Sequence, residues 1–151
     1  MKTVNPSLKT LYHTDFYGWT LEQAKLLRDQ QWQQLDVANL IEEIESLGRQ
    51  ERQELVNRLG VLLGHLLKWR HQPERHGTSW QATIREQRRK IDRLLQQSPS
   101  LKPYLEEALQ EGYEDAIDLA VRESGLPYEA FPENCSFTLE QIFDPKFFPN
   151  D

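Results

Sequence analysis

The sequence predicts an all-α protein, a bundle of about five helices with a Pro/Phe-rich C-terminal strap that contains a short helix. Apolar residues recur at helical spacing along most of the chain, and no strand-like alternation extends beyond a few residues. The 151 residues, of which 38% are hydrophobic, suit one domain with one core. We therefore expect a single helical domain over residues 1–151, with a flexible N-terminus at 1–10 and an ordered strap at 126–151.

The first helix is predicted from about Asp15 to Asp29, with Asp15 or Thr14 as its N-cap, because a side-chain oxygen there can accept from a free N–H of the first turn. Its apolar residues fall near one side of the helix. They are Phe16, Trp19, Ala24 and Leu27.

Two further helices are predicted on either side of Gly48, where we expect a kink or a break. The first begins after Asp36, and its apolar residues have the i, i+3, i+4, i+7 spacing of an amphipathic helix: Val37, Leu40, Ile41, Ile44 and Leu47. The second runs from Arg49 to about His71. Its leucines form a stripe too wide for one neighbour, which predicts a central place in the bundle: Leu55, Leu59, Leu62, Leu63, Leu66 and Leu67.

The last two long helices are predicted from a cap at Thr78 or Ser79 to Gln97, and from a cap at Ser100 to Gly125. Small residues on the latter predict close approach to another helix: Ala108, Gly112, Ala116 and Ala120. The tail that follows holds four of the eight prolines and five phenylalanines. We expect it to pack on the bundle as a strap, with Thr138 capping a short helix.

The composition limits the class of protein. A net charge of −6 argues against a general nucleic-acid coat. The single cysteine, Cys135, cannot form an intrachain disulfide and suits a reducing compartment. No segment reads as a secretory signal or approaches the ~20 apolar residues of a membrane span. We therefore expect a soluble, cytoplasmic protein with no membrane partner.

Several segments along the chain match, in the same order, the segments of one known family. They are 15–17 with Trp19, 39–48, 65–69, 72–75, 79–80 with 84–85, 98–101, 131–132 and 138–141. Together they resemble the bacterial family called Domain of Unknown Function 29, which is common in cyanobacteria. The resemblance extends from about Leu11 to Pro149. It implies an all-α fold, and it implies no reaction and no catalytic residues.

A basic stretch between Lys68 and Arg93 holds eight basic and three acidic residues, interleaved with Trp69 and Trp80. Arginine and aromatic side chains together suit phosphates and stacked bases. The candidate nucleic-acid contacts are Lys68, Arg70, Arg85, Arg88, Arg89 and Arg93. The stretch from Leu101 to Glu123 carries seven acidic and two basic residues, and we favour the interpretation that the two stretches pair with each other.

Arg58 and His65 form a second candidate site, because they lie two turns apart on one helix. Their spacing resembles the motif of the HEPN ribonucleases. That resemblance implies that His65 would handle protons and Arg58 would stabilise the charge on phosphorus. The competing interpretation is that His65, between Leu62 and Leu66, is a hydrogen-bonded core histidine.

A metal site is the third candidate, and its possible ligands are Glu42, Glu45, His65, His71 and His76. No glutamate has a histidine three residues later, as carboxylate-bridged bundles require, and no Cys-x-x-Cys is present. Glu42 and Glu45 are better explained by a solvated face or an ion pair with Arg49. We expect no metal and no cofactor.

The function that the sequence favours is a non-enzymatic interaction module that acts through a protein partner or as a homo-oligomer. The alternative is a nucleic-acid-binding protein, with HEPN-like cleavage as its enzymatic form.

Overall fold

The helices follow the predicted order. The computed structural model describes residues 11–150, so the predicted flexible N-terminus at 1–10 lies outside the described residues. Residues 11–14 are helical, and five α-helices follow: α1 (Phe16–Arg28), α2 (Val37–His71), α3 (Thr78–Gln97), α4 (Leu105–Ser124) and α5 (Leu139–Phe143). Residues 11–150 contain no strand, which confirms the all-α prediction.

The predicted break at Gly48 is wrong, because α2 is one continuous helix of 35 residues. Glycine lowers helix stability by about 1 kcal/mol relative to alanine but ends a helix only when its backbone leaves the helical region. Gly125 does so with φ 74° and ends α4 as predicted.

Contacts within the chain group into two compact units, and we call them the N-terminal unit, which ends at Gln50, and the C-terminal unit, which begins at Glu51. This grouping does not test the prediction of a single domain, which stays a prediction.

In the N-terminal unit, α1 is capped as predicted, since the Gly18 N–H donates to the Asp15 carboxylate at 3.0 Å. Of the four apolar residues predicted to share one side of α1, only Trp19 is buried. The buried residues are Trp19, Gln23 and Leu26, whereas Phe16, Ala24 and Leu27 are exposed. A polar contact explains the difference. The Trp19 indole donates to the buried Asp36 carboxylate at 3.1 Å, which sets the side of α1 that turns inward.

In the C-terminal unit, the second half of α2 is central, as predicted. Its six leucines between Leu55 and Leu67 are all buried, at 1% exposure or less. The predicted close approach of α4 is also confirmed. A Cβ on Gly112 would lie 3.0 Å from the Leu59 Cβ and 3.1 Å from the Val56 carbonyl oxygen. A side chain at this position would force α2 and α4 apart by a few tenths of an ångström, so glycine lets the two backbones approach closely.

Two predicted caps are wrong. At α3 the N-cap is Gly77, with no side-chain hydrogen bond from Thr78 or Ser79. At α4 the helix begins at Leu105, and residues Pro99–Tyr104 form a 3-10 helix in front of it. Pro103 has no N–H to donate, and the α-helical hydrogen bonds start only beyond it.

The strap prediction is confirmed. Thr138 caps α5, and its side chain and that of Gln141 bond each other's backbone in a capping box. Phe131, Phe137 and Ile142 are buried in the core of the C-terminal unit.

Candidate interaction surface

The first half of α2 presents an apolar stripe to solvent. Its members are Val37, Ile41, Ile44 and Leu47, and we call them the exposed stripe. Ile44 is 66% exposed and Leu47 is 62% exposed. The predicted helical spacing of these residues is confirmed: they share one side of α2, and that side faces solvent.

Polar side chains occupy the inner side of the same helical segment. Asn39 donates to the Asp36 carboxylate at 2.8 Å, and the Tyr12 hydroxyl donates to Glu43 at 2.5 Å. That hydrogen bond raises the pKa of Tyr12 to about 12. The Asp36 N–H donates to the Gln23 side chain at 2.9 Å. Polar groups thus make these contacts of the segment to the preceding residues. The residues of the exposed stripe lie outside, whereas Leu40 is half-buried.

Exposed apolar area is concentrated in the N-terminal unit. Nine of the ten strongly exposed large apolar side chains in the described chain lie at or before Leu47, and the tenth is Tyr128. Besides the exposed stripe they are Phe16, Tyr17, Leu21, Leu27 and Trp32. Scattered apolar residues are normal on a surface, but a contiguous row on one helix is typical of a contact surface.

Charged residues border the exposed stripe. Arg49 forms an ion pair with Glu42 at 2.9 Å and approaches Glu45 at 4.0 Å, as the sequence suggested. All three side chains are more than half exposed, so these pairs add little stability. An apolar centre with a charged border is the usual composition of a protein interface.

The basic stretch is divided between buried and exposed residues. Lys68 is buried, pairs with Glu123 at 3.2 Å and lies 4.6 Å from the Trp80 ring centre. This ion pair joins the basic and acidic stretches, as their predicted pairing requires, and Lys68 is the one candidate residue within residues 11–150 that forms such a pair. Arg70 donates to the Ser136 hydroxyl at 3.1 Å.

Arg88 has a role that sequence reasoning missed. It is only 6% exposed, and burial lowers the pKa of its guanidinium. Its side chain donates to backbone carbonyls of the strap, at Ile142 and Phe147, both at 2.8 Å. The sequence did carry a signal, because Arg88 lies one turn from both Ile84 and Ile91 on the buried side of α3.

Three other candidates remain on the surface. Arg85, Arg89 and Arg93 are exposed and follow one another at intervals of four along α3. Within residues 11–150 none of them forms an ion pair with the acidic stretch. The neighbouring Lys90 instead pairs with Glu86 at 2.5 Å, which lowers the pKa of that carboxyl.

The Arg58–His65 pair is engaged locally. Arg58 forms an ion pair with Glu54 at 2.9 Å and contacts Gln87 at 3.4 Å. His65 Nδ1 lies 2.9 Å from the Val61 carbonyl, which makes Nδ1 the donor, and burial lowers the pKa of the ring. A separation of seven residues corresponds to about 10 Å along the helix axis. Each group therefore has partners of its own, and the ribonuclease interpretation stays a prediction.

The candidate metal ligands have other contacts. The His76 ring stacks on Trp69 and bonds its carbonyl, and His71 meets the edge of Phe131. Glu42 and Glu45 face Arg49. In the part of the chain that the structure describes, no three histidine, cysteine or acidic side chains are grouped as a metal site.

A cavity of about 640 Å³ lies between α4 and the strap, with Glu106, Glu114 and Glu133 among its lining residues. Cys135 also lines it, and burial raises the pKa of this thiol. Cys135 is therefore protonated at neutral pH and is a poor nucleophile.

The family model described as Domain of unknown function DUF29 matches residues 11–148, nearly the whole chain. The chain belongs to the DUF29 family. No curated protein and no solved structure matches it. Among the described residues of this DUF29 protein, no helix has the length and apolar character needed to cross a membrane. The family description names no activity.

Proposed function

We propose that this DUF29 protein is a non-enzymatic helical interaction module, and that a protein partner binds on the exposed stripe of α2. The observation that carries the proposal is the row of Val37, Ile41, Ile44 and Leu47, each more than half exposed. Burying such a row is favourable by roughly 25 cal/mol per Å² of apolar surface.

The state of the candidate catalytic groups also supports binding over catalysis. Arg58 is neutralised by Glu54, and His65 is tied to the Val61 carbonyl within its own helix. The side chains of the exposed stripe, in contrast, are not engaged by contacts of this kind within the chain. The charged border of the stripe would keep the protein soluble until a partner protein binds.

We also propose a cytoplasmic location. A reducing compartment suits Cys135, which is the single cysteine of the chain and is a free thiol.

A capture experiment from native lysate tests the proposal. The tagged protein is compared with Ile44→Glu, which places a charge in the stripe, with mass spectrometry of the bound proteins before and after nuclease treatment. Gln50→Glu is the matched control, because it adds the same side chain at an exposed position on another side of the same helix. We expect proteins that survive nuclease treatment, are lost with Ile44→Glu and are retained with Gln50→Glu. Identical capture by all three proteins would reject the stripe as the contact surface.

Nucleic-acid binding is the second candidate, and the exposed row of Arg85, Arg89 and Arg93 favours it. We rank it lower because the net charge of −6 opposes attraction of a polyanion at long range. HEPN-like cleavage through Arg58 and His65 would be its enzymatic form.

A further inference from the structure

We infer that the partner on the exposed stripe is a second copy of this chain, whose own α2 crosses the stripe in the antiparallel direction and approaches most closely at Gly48. This inference rests on the proposed function, because it assigns the occupant of the same surface.

Gly48 is the first observation. It lies on the same side of α2 as the exposed stripe, seven residues after Ile41 and four after Ile44. A Cβ added at Gly48 would meet nothing within 4 Å, and the helix continues through it. Glycine inside a helix is unfavourable relative to alanine. Nothing in the described chain therefore requires a glycine at this position.

The two other glycines of α2 show what a glycine does in this helix. A Cβ on Gly60 would lie 3.1 Å from the Asp115 Cβ, and a Cβ on Gly64 would lie 2.7 Å from a methyl carbon of Leu119. Both glycines let α4 pack closely on α2. Because Gly48 also lacks a side chain, it leaves room on the stripe for the backbone or a large side chain of another helix.

The shape of the stripe is complementary to itself. In an antiparallel pair with its two-fold axis between Ile44 and Glu45, Ile41 of each copy lies opposite Gly48 of the other. A large side chain then meets an open position twice, once on each side of the axis. A two-fold interface needs this self-complementarity, because the same patch serves both copies.

The charges favour the antiparallel direction. Along residues 37–50 the acidic residues Glu42, Glu43 and Glu45 come first and Arg49 comes last. Antiparallel pairing brings Glu42 of one copy towards Arg49 of the other, and it aligns the helix dipoles favourably. Parallel pairing would place each glutamate near its own counterpart, which is unfavourable.

The first test is the mass of the full-length protein in solution, measured by light scattering over a range of concentrations. We expect a dimer for the natural sequence and for Gln50→Glu, and a monomer for Ile44→Glu. Gly48→Leu is the decisive variant. Since the new side chain has open space in the single chain and replaces a glycine in a helix, it should raise the melting temperature of the monomer. Because it fills the gap that receives Ile41 of the second copy, it should weaken the dimer at least ~10-fold.

The second test gives the orientation. Chains carrying Ile41→Cys and chains carrying Gly48→Cys, both with Cys135→Ser, are oxidised separately and as a mixture. The antiparallel arrangement predicts a disulfide-linked dimer in the mixture and little in either chain alone. Cross-linking of each chain with itself would show a parallel pair and overturn the inference.

The outcomes separate this inference from the proposed function. A natural chain that stays monomeric overturns the second copy as occupant. If that monomer still captures proteins that Ile44→Glu loses, only the occupant is wrong and the proposed function stands. A dimer that Ile44→Glu and Gly48→Leu leave intact would show that the copies meet elsewhere, which overturns the inference as well.

Discussion

Arg88 Nε donates to the carbonyl oxygen of Ile142 at 2.8 Å, so a side chain of α3 binds the C-terminal turn of α5. The last carbonyls of a helix have no partner within the helix, and a guanidinium can satisfy several of them at once. The same side chain also bonds the Phe147 carbonyl at 2.8 Å. One arginine thus fixes two points of the strap, separated by five residues, to the bundle.

Arg88→Ala should therefore destabilise the protein by about 2–4 kcal/mol, because buried carbonyls lose charged donors. Chemical denaturation measures the change in the free energy of unfolding. Arg89→Ala is the matched control, since Arg89 is exposed on the same helix, and it should change the stability by less than about 0.5 kcal/mol. Equal effects of the two substitutions would mean that the strap is held by its phenylalanines alone.

Leu62→Ala and Leu66→Ala should each cost on the order of 2–5 kcal/mol, because both side chains are fully buried at the centre of the C-terminal unit. Leu21→Ala makes the same chemical change at a residue that is 54% exposed, and it should cost much less. Thermal or denaturant unfolding of the three variants checks this. A loss well under 1 kcal/mol at both buried leucines would show that this part of α2 is peripheral.

The pH dependence of stability should depend in part on His65. Burial lowers the pKa of His65 in the folded state, whereas the unfolded ring has a pKa of about 6.5. The unfolded chain therefore binds the proton more readily. The contribution of His65 to stability is complete above about pH 6.5 and declines as the pH falls towards the folded pKa.

His65→Gln should flatten the dependence of the unfolding free energy on pH below about 6.5. Denaturation curves at several pH values between neutral and weakly acidic provide the comparison. Parallel curves for the natural protein and His65→Gln would contradict the burial of this ring.

RNA should bind weakly or not at all near physiological salt, because three exposed arginines on α3 act against a net charge of −6. A gel-shift titration of single-stranded RNA at two salt concentrations measures this. The informative variant is Arg85→Glu with Arg89→Glu, since Arg88 is buried and its substitution would disturb the strap. Tight, salt-sensitive binding that this variant loses would make nucleic-acid binding the favoured function, ahead of binding to a protein partner. Cleavage of the RNA, abolished by His65→Ala in a folded protein, would favour the ribonuclease.

The parts of the fold that the sequence predicted well depend on local signals. Gly125 ends α4 through its own backbone conformation, and Thr138 caps α5 through atoms three residues away. The wide leucine stripe between 55 and 67 could be assigned to the core because a helix that is apolar on most sides has few alternatives.

The candidate surface could not be assigned in this way. Helical spacing shows that Ile41 and Ile44 share a side of α2, but it does not show what covers that side. The side of this segment that faces inward depends on the hydrogen bond between the Trp19 indole and the Asp36 carboxylate. These two residues are far apart in the sequence, so helical periodicity does not predict their contact. For the same reason the charge pattern places Arg88 among the candidate nucleic-acid contacts, although its position between Ile84 and Ile91 indicates burial.

Gly60 and Gly112 face each other where α2 meets α4. A Cβ on Gly60 would lie 3.3 Å from the Gly112 carbonyl oxygen, and a Cβ on Gly112 would lie 3.2 Å from the Gly60 nitrogen. A methyl group gained at either position would push apart two helices whose buried leucines and alanines pack in the same core. Neither position can therefore accept a larger residue unless the opposite helix shifts, and a change at the other glycine does not provide that shift.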